Sequence, residues 1–173
     1  MNIIIRPEQK DDYDSILRIN DEAFGRENEG LLVSALRKTS KFISDLSLVA
    51  EMDNNLIGHI LFYPLTIKTK TGDKDVLSLA PISVLPRYQN KGIGCKLMKK
   101  GMGECKKTKY DVIIVVGHPN YYPRFGFKSA SKWKIQLPIE APDEAFMAFE
   151  LKENTIDKYA GTVVFPKEYY DAL

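Results

Sequence analysis

The chain has 173 residues, 44% hydrophobic and 28% charged, a composition able to bury a sizeable core within one domain. Its 25 basic and 23 acidic side chains nearly cancel, and the formal charge of +2 is too small and too dispersed to argue for nucleic acid. No apolar run nears the ~18 residues of a membrane span, and the opening segment is too short and wrongly flanked for a signal peptide, so a cytoplasmic protein is expected.

In chain order, residues 2–6 are rich in β-branched side chains and read as a first strand. Pro7 suits the first turn of a helix, and Asp11 and Asp12 favour its positive end. Tyr13, Ile16, Leu17, Ile19, Ala23 and Phe24 recur at helical spacing until Gly25 ends the run. A second helix is expected over 27–38, with Leu31, Leu32, Ala35 and Leu36 on its buried side. Strands over 46–52 and 57–67 are joined by Asp53-Asn54-Asn55, and Thr71-Gly72-Asp73 turns the chain into a strand ending at Pro86. Three consecutive antiparallel strands result.

A helix over 91–107 carries a stripe of Gly94, Leu97, Met98, Gly101, Met102 and Cys105. The apolar run over 111–116 reads as a strand covered on both faces, which completes a right-handed strand–helix–strand crossover. A helical turn over 121–125 and strands near Phe127, over 145–151 and over 162–165 follow. Cys95 and Cys105, ten residues apart on one helix, stand about 15 Å apart, too far to bridge. With no clustered histidine or Cys-x-x-Cys, neither a structural metal nor a disulfide is expected.

The chemistry-bearing stretch is Gln89-Asn-Lys-Gly-Ile-Gly94, between a strand and a helix. A helix start offers unpaired N–H donors and the positive end of its dipole, and Gly92 and Gly94 let a ligand approach the backbone. A Walker pattern is absent, since no Gly-Lys-Ser or Gly-Lys-Thr occurs. The dinucleotide pattern fails where its third glycine would fall at Leu97.

Gln89-x-x-Gly-x-Gly94 after a strand ending in Val-Leu-Pro, with Tyr122-x-x-x-Gly-Phe127 after the next strand, resembles the GNAT N-acetyltransferase superfamily. Gly117-His-Pro-Asn-Tyr-Tyr-Pro-Arg-Phe-Gly-Phe127, Asn55-Leu-Ile-Gly-His-Ile-Leu-Phe62 and the tail at Tyr159-Ala-Gly-Thr-Val-Val164 resemble a branch of uncharacterised predicted acetyltransferases. The resemblance implies an α/β (α+β) fold: a mixed, mostly antiparallel central sheet, a parallel β-α-β cofactor unit, and helices on both faces. It implies a domain over 1–151, with 152–173 as an extension packed on it. Acetyl-coenzyme A is the implied co-substrate, with no metal. Its pyrophosphate would lie on the backbone of Gln89, Asn90, Lys91, Gly92, Ile93, Gly94 and Cys95. Its pantetheine arm would pair with the main chain at Ile82, Ser83 and Val84, where two parallel strands splay.

The implied reaction is attack of an amine on the thioester, with a thiolate as leaving group. A phenol of pKa about 10 is suited to reprotonating a thiolate of pKa about 8.5, and Tyr122 occupies the family's position for that acid, against core packing in an aromatic cluster with Tyr121, Phe125 and Phe127. The glutamate base of several relatives aligns near Ser78 and is absent. His118 is the candidate base, against a loop-capping role, with base-free transfer through water also open. Glu27 and Glu29 are candidates at the acceptor groove, against helix N-terminal charge pairing. The asparagine that many relatives carry seven residues before the tyrosine is Val115 here, with Asn120 nearby. The expected acceptor is a small-molecule or peptide amine, with no nucleic acid or membrane partner and a monomeric or homodimeric chain. A longer acyl-CoA or carrier-protein donor, and a non-catalytic acyl-CoA sensor, are the alternatives.

Overall fold

The computed structural model describes residues 2–173. Its strands are β1 (Ile3–Pro7), β2 (Ser47–Met52), β3 (Asn55–Thr69), β4 (Gly72–Val84), β5 (Val112–Val116), β6 (Lys128–Ser129), β7 (Ile135–Gln136), β8 (Phe146–Glu150) and β9 (Gly161–Val164). The helices are α1 (Tyr13–Phe24), α2 (Asn28–Arg37), α3 (Ile93–Lys106) and the short α4 (Lys167–Asp171). The strands hydrogen-bond in the order β1-β2-β3-β4-β5-β8-β6, with β9 on β3 and β7 on β9. Pairing is mostly antiparallel, as expected, and β4 meets β5 in parallel at Leu77↔Ile113 and Ser78↔Ile114. A second parallel pair, β7 with β9, was not anticipated.

The chain divides into two compact units. The first comprises the residues up to Tyr63 with Ala80–Cys105 and Lys167–Leu173; the second comprises Pro64–Leu79 with Lys106–Pro166.

In the first unit, Pro7 departs from expectation. It closes β1 opposite Leu48, and Glu8 N–H donates to the Ser47 carbonyl at 2.8 Å, so helical structure begins only at the turn Lys10–Asp12. A proline at the end of an edge strand sacrifices no needed ladder bond. Asp12 then accepts from Gln9 N–H at 2.7 Å and pairs with Arg6 at 2.7 Å. On α2 the buried residues are Gly30, Leu32, Val33 and Leu36, while Leu31 is 58% exposed. The cause is Gly30, where a Cβ would stand 2.7 Å from Leu17 Cδ1 and from Asp21 Oδ1 of α1. The two helices meet there, which rotates Leu31 outward.

α3 buries Leu97, Met98, Gly101, Met102 and Cys105 as its stripe implies, and Ile93 takes the place expected for Gly94. Gly101 has a steric explanation: a Cβ there would lie 2.5 Å from Cε2 of Phe62. Phe62 of β3 therefore faces α3. Its neighbour Tyr63 faces the other way, its hydroxyl 2.9 Å from Thr39 Oγ1 and its ring 6.3 Å from that of Tyr169 in α4. Helices thus cover both faces of the strands in this unit.

Beneath α1 and α2 runs a buried chain of donors. Arg37 donates to both oxygens of Glu8 at 2.9 Å, and Ser47 Oγ donates to Glu8 Oε2 at 2.9 Å. His59 Nε2 lies 2.9 Å from Ser47 Oγ, and Asn20 Nδ2 lies 3.5 Å from His59 Nδ1. Since Ser47 gives its proton to the carboxylate and Asn20 offers an N–H, the network assigns the His59 proton to Nε2. Complete burial, and secondarily Arg37, push the His59 pKa down to about 3.

In the second unit, Val112 to Val115 of β5 are buried and Val116 is exposed at the strand end. Tyr159 donates to Asp111 Oδ2 at 2.8 Å and Lys158 approaches the same oxygen at 3.1 Å, tying the segment after Leu151 to the start of β5.

Gly101→Val should destabilise the protein by about 1–3 kcal/mol through overpacking against Phe62, read from denaturant unfolding. For His59, the unfolded chain takes up a proton near pH 6.5 that the folded chain refuses until about pH 3. Unfolding free energy should therefore fall as pH drops below the ordinary histidine range, by about 1.4 kcal/mol per unit from this group. Comparing pH 7 with pH 5 in wild type and His59→Gln isolates that slope, which the variant should lack.

Candidate active site

The stretch Gln89 to Cys95 lies wholly in the first unit. After β4, Leu85 N–H donates to the Ile57 carbonyl at 2.9 Å, and a tight helical turn spans Pro86–Tyr88. Gln89 Nε2 reaches back to the Val84 carbonyl at 3.0 Å, which pins the turn to the strand end. Asn90 (φ +61°) and Gly92 (φ +83°) are both left-handed, and they reverse the backbone into α3. Ile93, 1% exposed, plugs the helix start into the core. Lys96 N–H donates to the Gly92 carbonyl at 3.1 Å, the first bond of α3. The amides of Gly92, Ile93, Gly94 and Cys95 therefore precede any intrahelical acceptor, at the positive end of a 14-residue helix. Gln89, Asn90, Lys91 and Gly92 are exposed, and nothing lies within 4 Å of a Cβ placed on Gly92. A flexible anion can sit here on main-chain donors alone.

Upstream, the parallel pairing of β4 stops at Ser78, and the strand runs on through Ile82, Ser83 and Val84 to the turn. Ile82 and Val84 are half-buried and Ser83 is 3% exposed. At the connection of α1 and α2, Glu27 is exposed, whereas Glu29 is held by Arg26, whose Nε donates to its two oxygens at 3.0 and 3.1 Å. Asp21 adds an acidic group that sequence reasoning passed over. Burial, then Glu27 and Glu29, hold its carboxyl above the usual range.

The second unit carries Tyr122 and His118. β5 ends at Val116, and Gly117 N–H donates to the Ala145 carbonyl at 2.9 Å. His118 is exposed, and its carbonyl accepts from Tyr121 N–H at 3.1 Å, closing the turn that presents Tyr122. The Tyr122 ring is 7% exposed, edge-on to Tyr121 at 5.2 Å and to Phe127 at 5.8 Å. That burial, and secondarily Tyr121, raises the phenol pKa well above its ordinary value. Val115 is buried within β5, and Asn120 is exposed. Among the described residues no group of His, Cys, Asp and Glu is arranged to hold a metal, and no helix is long and apolar enough to cross a membrane.

A family model for the acetyltransferase (GNAT) domain matches residues 4–130. This chain belongs to the GNAT acetyltransferase family. The GNAT chain is 33% identical over 136 residues to the uncharacterised N-acetyltransferase YjhQ of Escherichia coli K12, covering 78% of this chain and 75% of that protein. It is 26% identical over 168 residues to the uncharacterised N-acetyltransferase YhbS of the same strain, covering 96% and 98%. The crystal structure of E. coli YhbS in complex with CoA shares the fold at a TM-score of 0.90 and 24% identity, covering 98% and 93%. A GNAT family acetyltransferase from Brucella melitensis, in complex with acetyl-CoA, superposes at a TM-score of 0.79 with 29% identity, covering 97% and 98%.

Because Gly92 has open space around it and a left-handed backbone, Gly92→Ala isolates backbone strain from packing. It should cost about 1 kcal/mol of unfolding free energy, measured in denaturant.

Proposed function

We propose that this GNAT acetyltransferase moves an acetyl group from acetyl-CoA to an amine by direct attack. The reading is carried by the turn at Gln89 to Cys95, where two left-handed residues lead into consecutive amides that precede the first bond of α3. These donors fit a pyrophosphate, which needs several N–H groups and no Cβ in the way. The main chain of Ile82, Ser83 and Val84, beyond the last parallel pair with β5, would hold the extended pantetheine arm by strand-like hydrogen bonds. The CoA-bound and acetyl-CoA-bound neighbours support this ligand.

Acetyl-CoA would supply an activated acetyl thioester whose sulfur leaves as a thiolate. Tyr122 would act as the general acid toward that sulfur. Burial keeps its phenol protonated throughout the working pH range, so the O–H is always available as a donor. Accordingly Tyr122 imposes no pH limb on kcat below about pH 10. His118, exposed before Pro119, is free to rotate toward an incoming amine as its base. Glu27 and Asp21 would favour a cationic acceptor, while Glu29 is already committed to Arg26. Residues 1–151 form the proposed acetyltransferase domain, with 152–173 as its extension.

The test combines thermal unfolding with turnover of acetyl-CoA against a panel of amines. At 100 times its Kd, acetyl-CoA should stabilise wild type by about 2.7 kcal/mol. Gly92→Asp, placing a carboxylate among the amides, should abolish the shift. Tyr122→Phe should keep the shift and lose turnover by about 100-fold. No shift with wild type at millimolar acetyl-CoA would sink the proposal.

A further inference from the structure

The ring of Tyr122 lies directly on the backbone of Gly117. A Cβ at Gly117 would stand 2.6 Å from Tyr122 Cε2 and 3.3 Å from both Cζ and the hydroxyl oxygen. Gly117 is not among the glycines with positive φ, so its backbone conformation does not demand glycine. What demands it is the tyrosine. Both partners are held by their neighbours. Gly117 is held by its N–H bond to the Ala145 carbonyl at 2.9 Å, and the preceding Val116 is paired with Phe146. The ring is closed in by Tyr121 and Phe127, and Phe127 is backed by Phe149 at 5.4 Å.

We infer that Gly117 is a positioning residue for the Tyr122 hydroxyl, acting by having no side chain. The inference rests on the general-acid reading of Tyr122 given above. Even one methyl group must drive the ring edge that carries the hydroxyl away from β5 by about 1 Å to restore ordinary contact. Displacement of a reacting group on that scale costs on the order of 100-fold in rate. The loss should fall on kcat, because Gly117 has no part in the turn proposed to hold acetyl-CoA.

The test compares wild type, Gly117→Ala, Tyr122→Phe and the double variant. Each is followed by kcat, by KM for acetyl-CoA with an amine active in the panel, and by carbon-13 NMR of Cζ-labelled tyrosine. The Tyr122 resonance is the one lost in Tyr122→Phe. Gly117→Ala should shift that resonance and bring its ionisation down toward the ordinary phenol range. It should lower kcat at least tenfold, leave KM within about twofold, and cause no further loss on the Tyr122→Phe background. An unmoved resonance, or an equal loss in both backgrounds, overturns the inference. Should Tyr122→Phe retain full rate, the general-acid reading fails by itself, and the resonance alone decides whether Gly117 holds the ring. If Gly117→Ala does not fold, adding Tyr122→Ala must restore folding; a double variant that stays unfolded overturns the steric account.

Discussion

Glu8 has a side chain only 1% exposed, and a buried carboxylate must be paired or the fold is penalised by several kcal/mol. Satisfying it draws on one group from each of several elements: Arg37 at the end of α2, Ser47 at the start of β2 and, through Ser47, His59 of β3 and Asn20 of α1. Every proton in that chain points toward the carboxylate. The first strand, two helices and two further strands are thereby set in one arrangement, independently of their apolar contacts. The same directionality explains why His59 stays neutral, since a second ring proton would face the Asn20 amide rather than an acceptor.

Placing chemistry on main-chain atoms is the second organising theme. The proposed phosphate and pantetheine contacts both use backbone groups, which needs positive φ at Asn90 and Gly92 and a strand whose parallel partner stops early. The proposed general acid, Tyr122, would be the place where a side chain enters. Burial, and secondarily Tyr121, raise its phenol pKa above the ordinary value.

α3, which follows the glycine turn, is legible in the sequence because its stripe repeats at three and four residues, a local property that packing preserves. The turn itself is legible because glycine and asparagine are the residues that tolerate left-handed backbone. What escapes is non-local. The buried face of α2 depends on where Gly30 touches α1, so counting apolar residues selects Leu31 wrongly. Pro7 looks like a helix start until its pairing with Leu48 is known. β7 and α4, of two and five residues, are too short to show a period. The Glu8 chain joins residues up to 39 positions apart, and no spacing rule connects them. Nothing in the sequence shows that Gly117 lies against the Tyr122 ring.

The contact of Gly101 with Phe62 carries an evolutionary implication. One position surrenders its whole side chain so that the other can keep an aromatic ring, and the two lie on different elements of the first unit. A larger residue on the helix becomes acceptable only once the ring has been trimmed, and trimming the ring alone leaves a hole. Either single step is costly, while the two together conserve volume. Across descendants of this sequence the two positions should drift in concert or stay as they are.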